Sequence, residues 1–296
     1  MSQPSQNQKN LRGIIAMMAA MGFFVINDTL VKLVRQHWDT GQIIVVRGVF
    51  ALVLLFGWVA LAGQLGRIQA ILRPDLATRG LIEAVVAASF ITALGMMPLA
   101  DITAILLAAP LLITALSMVL FGEAVGWRRW SAVAVGFLGM LLVVRPGGNA
   151  APPLALGLAL VSVLGVALRD LMTRRVPTDI PSVIVAVTST LGTLAAGLAL
   201  MAGGGAWHAL AWEPVLILAA AAAFVLAGNY AVIEACRDVE LSVVSPFRYV
   251  VIVWAVLLGI LVFGDWPAPV ALGGIALIVA SGLYTLHRER IRGQLK

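Results

Sequence analysis

The feature that most constrains this chain is its succession of long apolar runs, separated only by short polar or Gly/Pro-containing breaks. A helix that crosses the hydrocarbon core of a bilayer needs about 20 mostly apolar residues. Only 11% of the 296 residues are charged and 61% are hydrophobic, whereas soluble domains carry about 25% charge. The chain therefore has too little polar surface for a globule in water, and lipid must solvate most of it.

Ten such runs predict an all-α integral membrane protein with ten transmembrane helices. With their short loops, these spans occupy most of the chain and leave no room for a soluble domain. The polar N-terminus has no basic segment followed by a cleavage site, so the first run is predicted to remain as helix 1. The predicted spans are residues 13–33, 42–62, 80–98, 102–121, 130–145, 154–170, 181–202, 214–235, 242–263 and 270–286.

The distribution of Lys and Arg predicts the orientation, because cytoplasmic loops of membrane proteins are rich in these residues. With the N-terminus inside, fifteen of the twenty basic residues fall in cytoplasmic segments and only Lys32, Arg35 and Arg145 fall outside. We expect both termini in the cytoplasm, with residues 1–12 and 288–296 as tails. The net charge of +6 thus reflects orientation and does not indicate nucleic-acid binding.

Weak matches between the two halves share one offset of 142 residues. Phe121–Glu123 at the end of helix 4 matches Phe263–Asp265 at the end of helix 9. At the same offset, Asp28 in helix 1 matches Asp170 in helix 6. A common offset across several helix pairs indicates an internal repeat.

The repeat predicts two five-helix units, residues 13–147 and 152–287. Since five is an odd number, the second copy begins on the opposite face of the membrane, which makes the repeat inverted. Inverted repeats are common in secondary transporters, in which the two halves exchange conformations to give alternating access.

Both halves of the chain contain short motifs, which are Pro98–Ile105, Ala109-Pro110, Phe121–Glu123, Trp127–Trp130, Ser245–Tyr249, Trp254, Phe263–Pro267 and Gly282–Tyr284. Together these motifs resemble the drug/metabolite transporter superfamily, EamA type, and the resemblance covers essentially the whole chain. The usual Glu of the second repeat is Asp265 here, which we interpret as a capping or packing residue with little bearing on transport.

This resemblance implies a central cavity lined mainly by helices 1, 3, 4, 6, 8 and 9, with helices 5 and 10 at the periphery. It also implies a secondary transporter of small organic metabolites in a bacterial-type inner membrane. The superfamily includes amino-acid exporters, S-adenosylmethionine carriers and riboflavin carriers. Amino-acid export is the first interpretation, and uptake of S-adenosylmethionine or a vitamin-like compound is the alternative.

Ionisable residues inside the spans are the first candidates for a role in transport, because a charge at mid-bilayer costs roughly 2.5–3.5 kcal/mol. Asp28, one turn before Lys32, is either an outer gate or half of a structural ion pair. Glu83, one turn after Arg79, is either an end-of-helix pair or a carboxylate that contacts a substrate ammonium or takes up a proton.

Helices 8 and 9 contribute further polar candidates. Asn229 and Tyr230 either line the cavity or bond a neighbouring helix. Pro246 lacks a backbone donor, so it is predicted to free carbonyls at membrane depth beside Ser245.

Arg248 beside Pro246 is suited to binding a carboxylate. Alternatively, it pairs with Glu83 or Glu234 and stabilises a kink, and Tyr249 belongs to the same group. Trp254 is predicted to form a cavity wall, and Pro110 predicts a comparable break in helix 4. A zwitterionic substrate would use Arg248 for its carboxylate and Glu83 or Asn229 for its ammonium group.

The sequence offers no constellation for enzymatic chemistry. The three histidines lack metal-ligand spacing, and a Gly-rich phosphate loop with Lys-Ser/Thr is absent. We therefore expect no metal, no cofactor and no enzymatic activity, and a passive scaffold or intramembrane enzyme is disfavoured. The expected partners are a small-molecule substrate and the lipid bilayer, and proton coupling through a carboxylate is left open.

Overall fold

A computed structural model describes residues 6–121, 127–144, 151–173, 180–236 and 244–293. Within these ranges the regular structure is helical and contains no strand. This agrees with the rule that a chain in lipid must satisfy its backbone hydrogen bonds internally, as a helix does. Gly122, Glu123 and Arg145, which the sequence analysis named, lie outside the described residues.

The helices are numbered in chain order. A 3₁₀ segment, Leu65–Leu72, precedes α3, another, Ser245–Val250, precedes α10, and a π-helical turn, Gly259–Phe263, follows α10. The α-helices are α1 Gln6–Arg35, α2 Thr40–Leu61, α3 Pro74–Leu94, α4 Leu99–Leu106, α5 Ala109–Phe121, α6 Trp127–Val144, α7 Pro153–Thr173, α8 Ser182–Ala202, α9 Trp212–Cys236, α10 Val251–Leu258 and α11 Pro269–Gly293.

The described helices confirm a multi-pass membrane protein. Seven helical stretches are long and apolar enough to cross a membrane. Shorter apolar helices lie at Leu99–Ile113, Trp130–Val143 and Pro269–Tyr284. The arrangement of ten spans as two inverted repeats around a central cavity stays a prediction.

One of the predicted spans is an interrupted helix, and another begins earlier than predicted. Helix 4 is divided into α4 and α5 by a turn at residues 107–108, just before the exposed Pro110. Proline lacks the backbone N–H that would donate to the carbonyl one turn earlier, so the break falls where the sequence placed it. Helix 3 also differs from its prediction, because Pro74 occupies its first turn and lets it begin six residues earlier.

Pro246 lies at the first or second position of the 3₁₀ segment Ser245–Val250, which follows the helical Val244 and precedes α10. Its ring leaves no backbone N–H to donate to an earlier carbonyl. Residues 237–243 lie outside the described part of the chain, so the free carbonyls that the sequence predicts beside Pro246 stay a prediction.

The chain forms two compact units that each combine segments of both predicted repeats. Unit 1 comprises Met1–Thr29, Pro98–Ala150 and Phe224–Lys296, and unit 2 comprises Leu30–Met97 and Ala151–Ala223. The repeats are thus not the packing units of the structure. The repeat boundaries 13–147 and 152–287, and the terminal tails, stay predictions.

In unit 1, α6 and α11 meet at glycines that let the two backbones approach closely. A Cβ added at Gly139 would lie 2.7 Å from the Gly274 carbonyl oxygen, and one at Gly274 would lie 2.5 Å from that of Gly139. Small residues of this kind are the usual contact between membrane helices. In lipid, close packing supplies the attraction that the hydrophobic effect supplies in water. Gly136 faces Ser281 in the same interface.

In unit 2, glycines have the same role at three helix contacts. Gly192 on α8 lies against the backbone of Gly80 on α3, and Gly41 on α2 meets Gly197 on α8. Gly165 on α7 receives the side chain of Val86 on α3. These contacts bring α3 close to α7 and α8, and they determine which polar side chains can meet.

We expect Gly274→Ala to destabilise the protein, because its methyl group would overlap the backbone of α6. Overpacking typically costs about 1–3 kcal/mol, which would lower the thermal unfolding temperature in detergent. The adjacent Gly273→Ala is the matched control, since a Cβ there meets nothing within 4 Å. Equal melting temperatures for the two variants would contradict the close backbone contact.

Candidate functional site

A cluster of charged side chains joins α3 to α7 inside unit 2. The Arg169 Nη1 group donates to Glu83 Oε1 at 3.3 Å and to Oε2 at 3.2 Å. The same guanidinium uses Nε and Nη2 on Asp170 Oδ1, at 3.0 and 2.9 Å. One arginine therefore lies between two carboxylates, which is the bidentate donor geometry that favours Arg over Lys.

This cluster lies within apolar helices and is only partly shielded. The Arg169 and Glu83 side chains are 24% and 21% exposed, and both belong to candidate membrane spans. The second cation, Arg79, donates from Nη1 to the hydroxyl of Ser189 on α8. Two cations and two anions together keep the group neutral, which reduces the cost of placing charges among apolar helices.

Glu83 thus has a partner on another helix that sequence spacing did not indicate. The sequence placed Arg79 one turn away from Glu83 and treated Arg169 only as a basic residue of a cytoplasmic segment. The match of Asp28 with Asp170 was the one signal that pointed to this part of α7. A carboxylate held by a single guanidinium can exchange that partner for a proton or a substrate cation.

Asp28 occupies the related position in unit 1. Its Oδ1 accepts a hydrogen bond from Asn27 Nδ2 at 2.9 Å, and Asn27 is buried. Under the offset of 142, Asn27 and Asp28 correspond to Arg169 and Asp170, so in both pairs the first side chain donates to the following carboxylate. Lys32, which the sequence grouped with Asp28, donates to the Met97 carbonyl oxygen at 2.9 Å.

Trp254 on α10 is held against α1 within unit 1. Its indole Nε1 donates to the Met18 carbonyl oxygen at 3.2 Å, and its ring lies over Gly22, where an added Cβ would be 3.4 Å away. The ring adjoins a buried apolar cluster that includes Met17 and Met21. Trp254 remains partly exposed, so it presents a fixed aromatic surface.

Of the residues near Pro246, Tyr249 is buried and Arg248 is exposed. Tyr249 is 6% exposed and its hydroxyl packs on Gly282, where no Cβ would fit. Arg248 is exposed. Its two predicted ion-pair partners have other partners, because Glu83 binds Arg169 and Glu234 accepts from Arg12 Nη2 at 3.1 Å.

Ser245 begins the 3₁₀ segment, and its side chain lies outside the described set. The structure therefore favours a packing role for Tyr249, and roles in substrate binding for Ser245 and Arg248 stay predictions.

Asn229 on α9 forms a hydrogen bond within its own helix. Asn229 Nδ2 donates to the Val225 carbonyl oxygen at 2.7 Å, one turn earlier on its own helix. An amide near its own backbone needs no neighbouring helix to satisfy a donor. Asn229 and Tyr230 are both exposed, and their contact with substrate stays a prediction.

Comparison with protein families finds a match for the first half of the chain. Residues 11–145 match the model of the EamA-like transporter family. An S-adenosylmethionine uptake transporter of Rickettsia prowazekii is 21% identical over 95% of this chain and 94% of its own length.

A second relative is a riboflavin transporter of Rhizobium johnstonii. It is 30% identical over 73% of this chain and 70% of its own length. One solved crystal structure aligns over 97% of this chain and 99% of its own, with a TM-score of 0.63 and 17% identity. At that identity the likeness shows a shared fold.

We expect Glu83 and Arg169 to be energetically coupled in a double-mutant cycle of Glu83→Gln and Arg169→Gln. Partners in one ionic network show interaction energies of about 0.5–3 kcal/mol, measured by thermal or chemical unfolding in detergent. The exposed pair Arg73–Asp75, 45% and 32% exposed, is the matched control, for which about 0–1 kcal/mol is expected. A coupling no larger than that of the control would contradict the structural role assigned to Arg169.

Proposed function

The chain belongs to the EamA-like transporter family of the drug/metabolite transporter superfamily, and from this premise we propose that it is a secondary uptake carrier for a metabolite with a flat heteroaromatic ring. S-adenosylmethionine is the first candidate substrate and riboflavin the second. This order follows the relatives, because the carriers named for S-adenosylmethionine align over nearly the whole chain. The riboflavin carrier aligns over less of the chain, at higher identity.

This proposal replaces amino-acid export as the first interpretation. S-adenosylmethionine and riboflavin differ in charge, but each contains a planar nitrogen heterocycle attached to a hydroxylated five-carbon group, which is ribose in the first and ribityl in the second. An amino acid shares only the zwitterionic end of S-adenosylmethionine. The zwitterion argument depended on Arg248 for the carboxylate and on Glu83 or Asn229 for the ammonium group, and Glu83 is bound to Arg169.

The observation that carries the proposal is the fixed indole of Trp254. A flat heterocycle binds an aromatic face with little loss of freedom when that face is already held in place. Trp254 meets this condition through its hydrogen bond to Met18 and its contact with Gly22. The thioethers of neighbouring methionines add a polarizable surface that adapts to rings of different shape.

Helix contacts in unit 1 support the inverted repeat that alternating access requires. Gly136 contacts Ser281, and Gly139 contacts Ile278. Adding the offset of 142 to position 136 gives 278, and subtracting it from position 281 gives 139. The repeat therefore relates the Gly136–Ser281 contact to the Gly139–Ile278 contact. Contacts related in this way are expected when a pseudo-two-fold axis relates two halves of a transporter.

We further propose that Glu83 couples transport to protons. It is a carboxylate within a candidate span, and its cross-helix partner is a guanidinium. Protonation of Glu83 would remove the charge that holds Arg169 and loosen the contact between α3 and α7. The groups that face this carboxylate are Arg169, Arg79 and Asp170.

We expect cells that express the protein to accumulate labelled S-adenosylmethionine from the medium, and purified protein in liposomes to exchange it. Adenosine, which has the ring, should compete better than methionine, which has only the amino-acid part. Trp254→Ala should weaken uptake, because loss of base stacking costs roughly 1–3 kcal/mol, or about 5- to 150-fold in affinity.

Trp266→Ala is the control for this experiment, since Trp266 is 79% exposed. Transport of methionine without S-adenosylmethionine or riboflavin would restore the amino-acid interpretation. Efflux from preloaded cells without uptake would reverse the proposed direction. Equal loss of uptake in both tryptophan variants would remove the role assigned to Trp254.

We expect Glu83→Gln to abolish accumulation driven by a proton gradient while substrate exchange without a gradient continues. The amide keeps the shape of the side chain but cannot release a proton. Asp75→Asn on the same helix is the control, and it should keep the response to the gradient. Loss of exchange as well would assign Glu83 a structural role, and an intact gradient response would exclude it as the coupling group.

A further inference from the structure

An apolar groove runs along one side of unit 2, between α3 and α8. Its volume is about 860 Å³, within the range of about 300–1,000 Å³ typical of sites for small ligands. Small side chains form its floor, because glycine and alanine recur where the two helices meet. Gly80, Ala84, Gly192, Ala195 and Ala196 are among the small residues that line it, and Ile71 lies at one end.

The groove belongs to helices that lie at the depth of lipid chains. Both walls are candidate membrane spans, Pro74–Leu94 and Ser182–Ala202. Thr188 is the only hydroxyl-bearing residue in the lining, and its Oγ1 already donates to the Ile184 carbonyl oxygen. Water would find almost no hydrogen-bond partners in such a groove, so a long apolar chain is the occupant that this surface suits.

A basic segment lies at the Ile71 end of the groove. The 3₁₀ helix Leu65–Leu72 packs against both α3 and α8. Side chains three residues apart share a face in a 3₁₀ helix. Leu65, Ile68 and Ile71 therefore form one face, Arg67 lies off that face, and Arg73 directly follows the helix.

Exposed leucines place this segment at the boundary between lipid and water. Leu61 is 93% exposed and Leu72 is 84% exposed, which would be costly in water and is favourable among acyl chains. Both arginines are exposed beside them. A short segment with apolar side chains on one side and arginines on the other is typical of an interfacial helix that binds anionic lipid.

We propose that this groove and the 3₁₀ segment form a binding site for one anionic phospholipid. An acyl chain occupies the groove between α3 and α8, and the phosphate is bound by Arg67 and Arg73. The Lys/Arg distribution predicts that this end faces the cytoplasm, where anionic headgroups concentrate. The bound lipid would fill the groove beside α3, the helix that carries Glu83.

The positive charge at the end of the groove favours an anionic lipid over a helix from a second copy of the chain as the occupant. A partner helix would cover the small residues of the groove, but it would not account for arginines at its mouth. Arg73 also binds Asp75 through two hydrogen bonds of 3.1 Å. That pair is exposed, so it contributes little stability and can exchange with a phosphate.

The test uses the full-length purified protein and native mass spectrometry with phosphatidylglycerol or phosphatidylcholine of identical acyl chains. The wild type should retain phosphatidylglycerol in preference to phosphatidylcholine. In Arg67→Gln/Arg73→Gln, the preference should fall by roughly fivefold for each arginine lost, as expected near an anionic surface. Arg67→Lys/Arg73→Lys keeps the charge and should keep most of the preference.

The groove itself is tested by Ala195→Leu/Ala196→Leu, which fills it while leaving both arginines in place. This variant should retain less of both lipids, whereas Ala223→Leu, at an exposed position of α9 outside the groove, should behave as the wild type. Circular dichroism and gel filtration verify that each variant is folded before lipid is added.

Several outcomes would overturn the proposal. Equal retention of the two lipids by the wild type would exclude recognition of the phosphate. Full retention by the groove-filled variant would exclude the groove. A dimer that disappears when the groove is filled would identify a second copy of the chain as the occupant. No transport substrate is present, so these results do not depend on the proposed function.

Discussion

The absence of hydrogen-bond partners in lipid is the constraint on which the rest of this structure depends. The lack of such partners makes the described regular structure helical. The lack of water in lipid also removes the hydrophobic force that would otherwise hold helices together. Glycine contacts replace that force in both units, between α6 and α11 in one and between α3, α7 and α8 in the other. These close approaches then determine which polar side chains meet.

The charged cluster of unit 2 follows from this packing. Gly165 receives Val86 one turn from the point where Arg169 binds Glu83, so the ion pair and the close helix contact support each other. Removing one partner would leave the other charge among apolar helices, which is costly. A group with this dependence is suited to respond to a proton, and for this reason we assign the coupling role to it.

Unit 1 combines rigidity and adaptability around Trp254. The hydrogen bond to Met18 fixes the ring, while methionines and alanines form the adjoining core. This arrangement suits a planar substrate better than a small zwitterion. Family membership establishes a transporter of the EamA kind, and the identity of the substrate is our proposal.

Local chemistry explains what the sequence determined by itself. Apolar runs, the helical structure of the described residues and the break at Pro110 were all readable, because they depend on solvent and on backbone donors near in sequence. The partners of side chains were not readable. Asn229 bonds its own helix, and Glu83 meets Arg169 from 86 residues away. Only the tertiary structure decided these pairings, because they depend on which glycines let which helices approach.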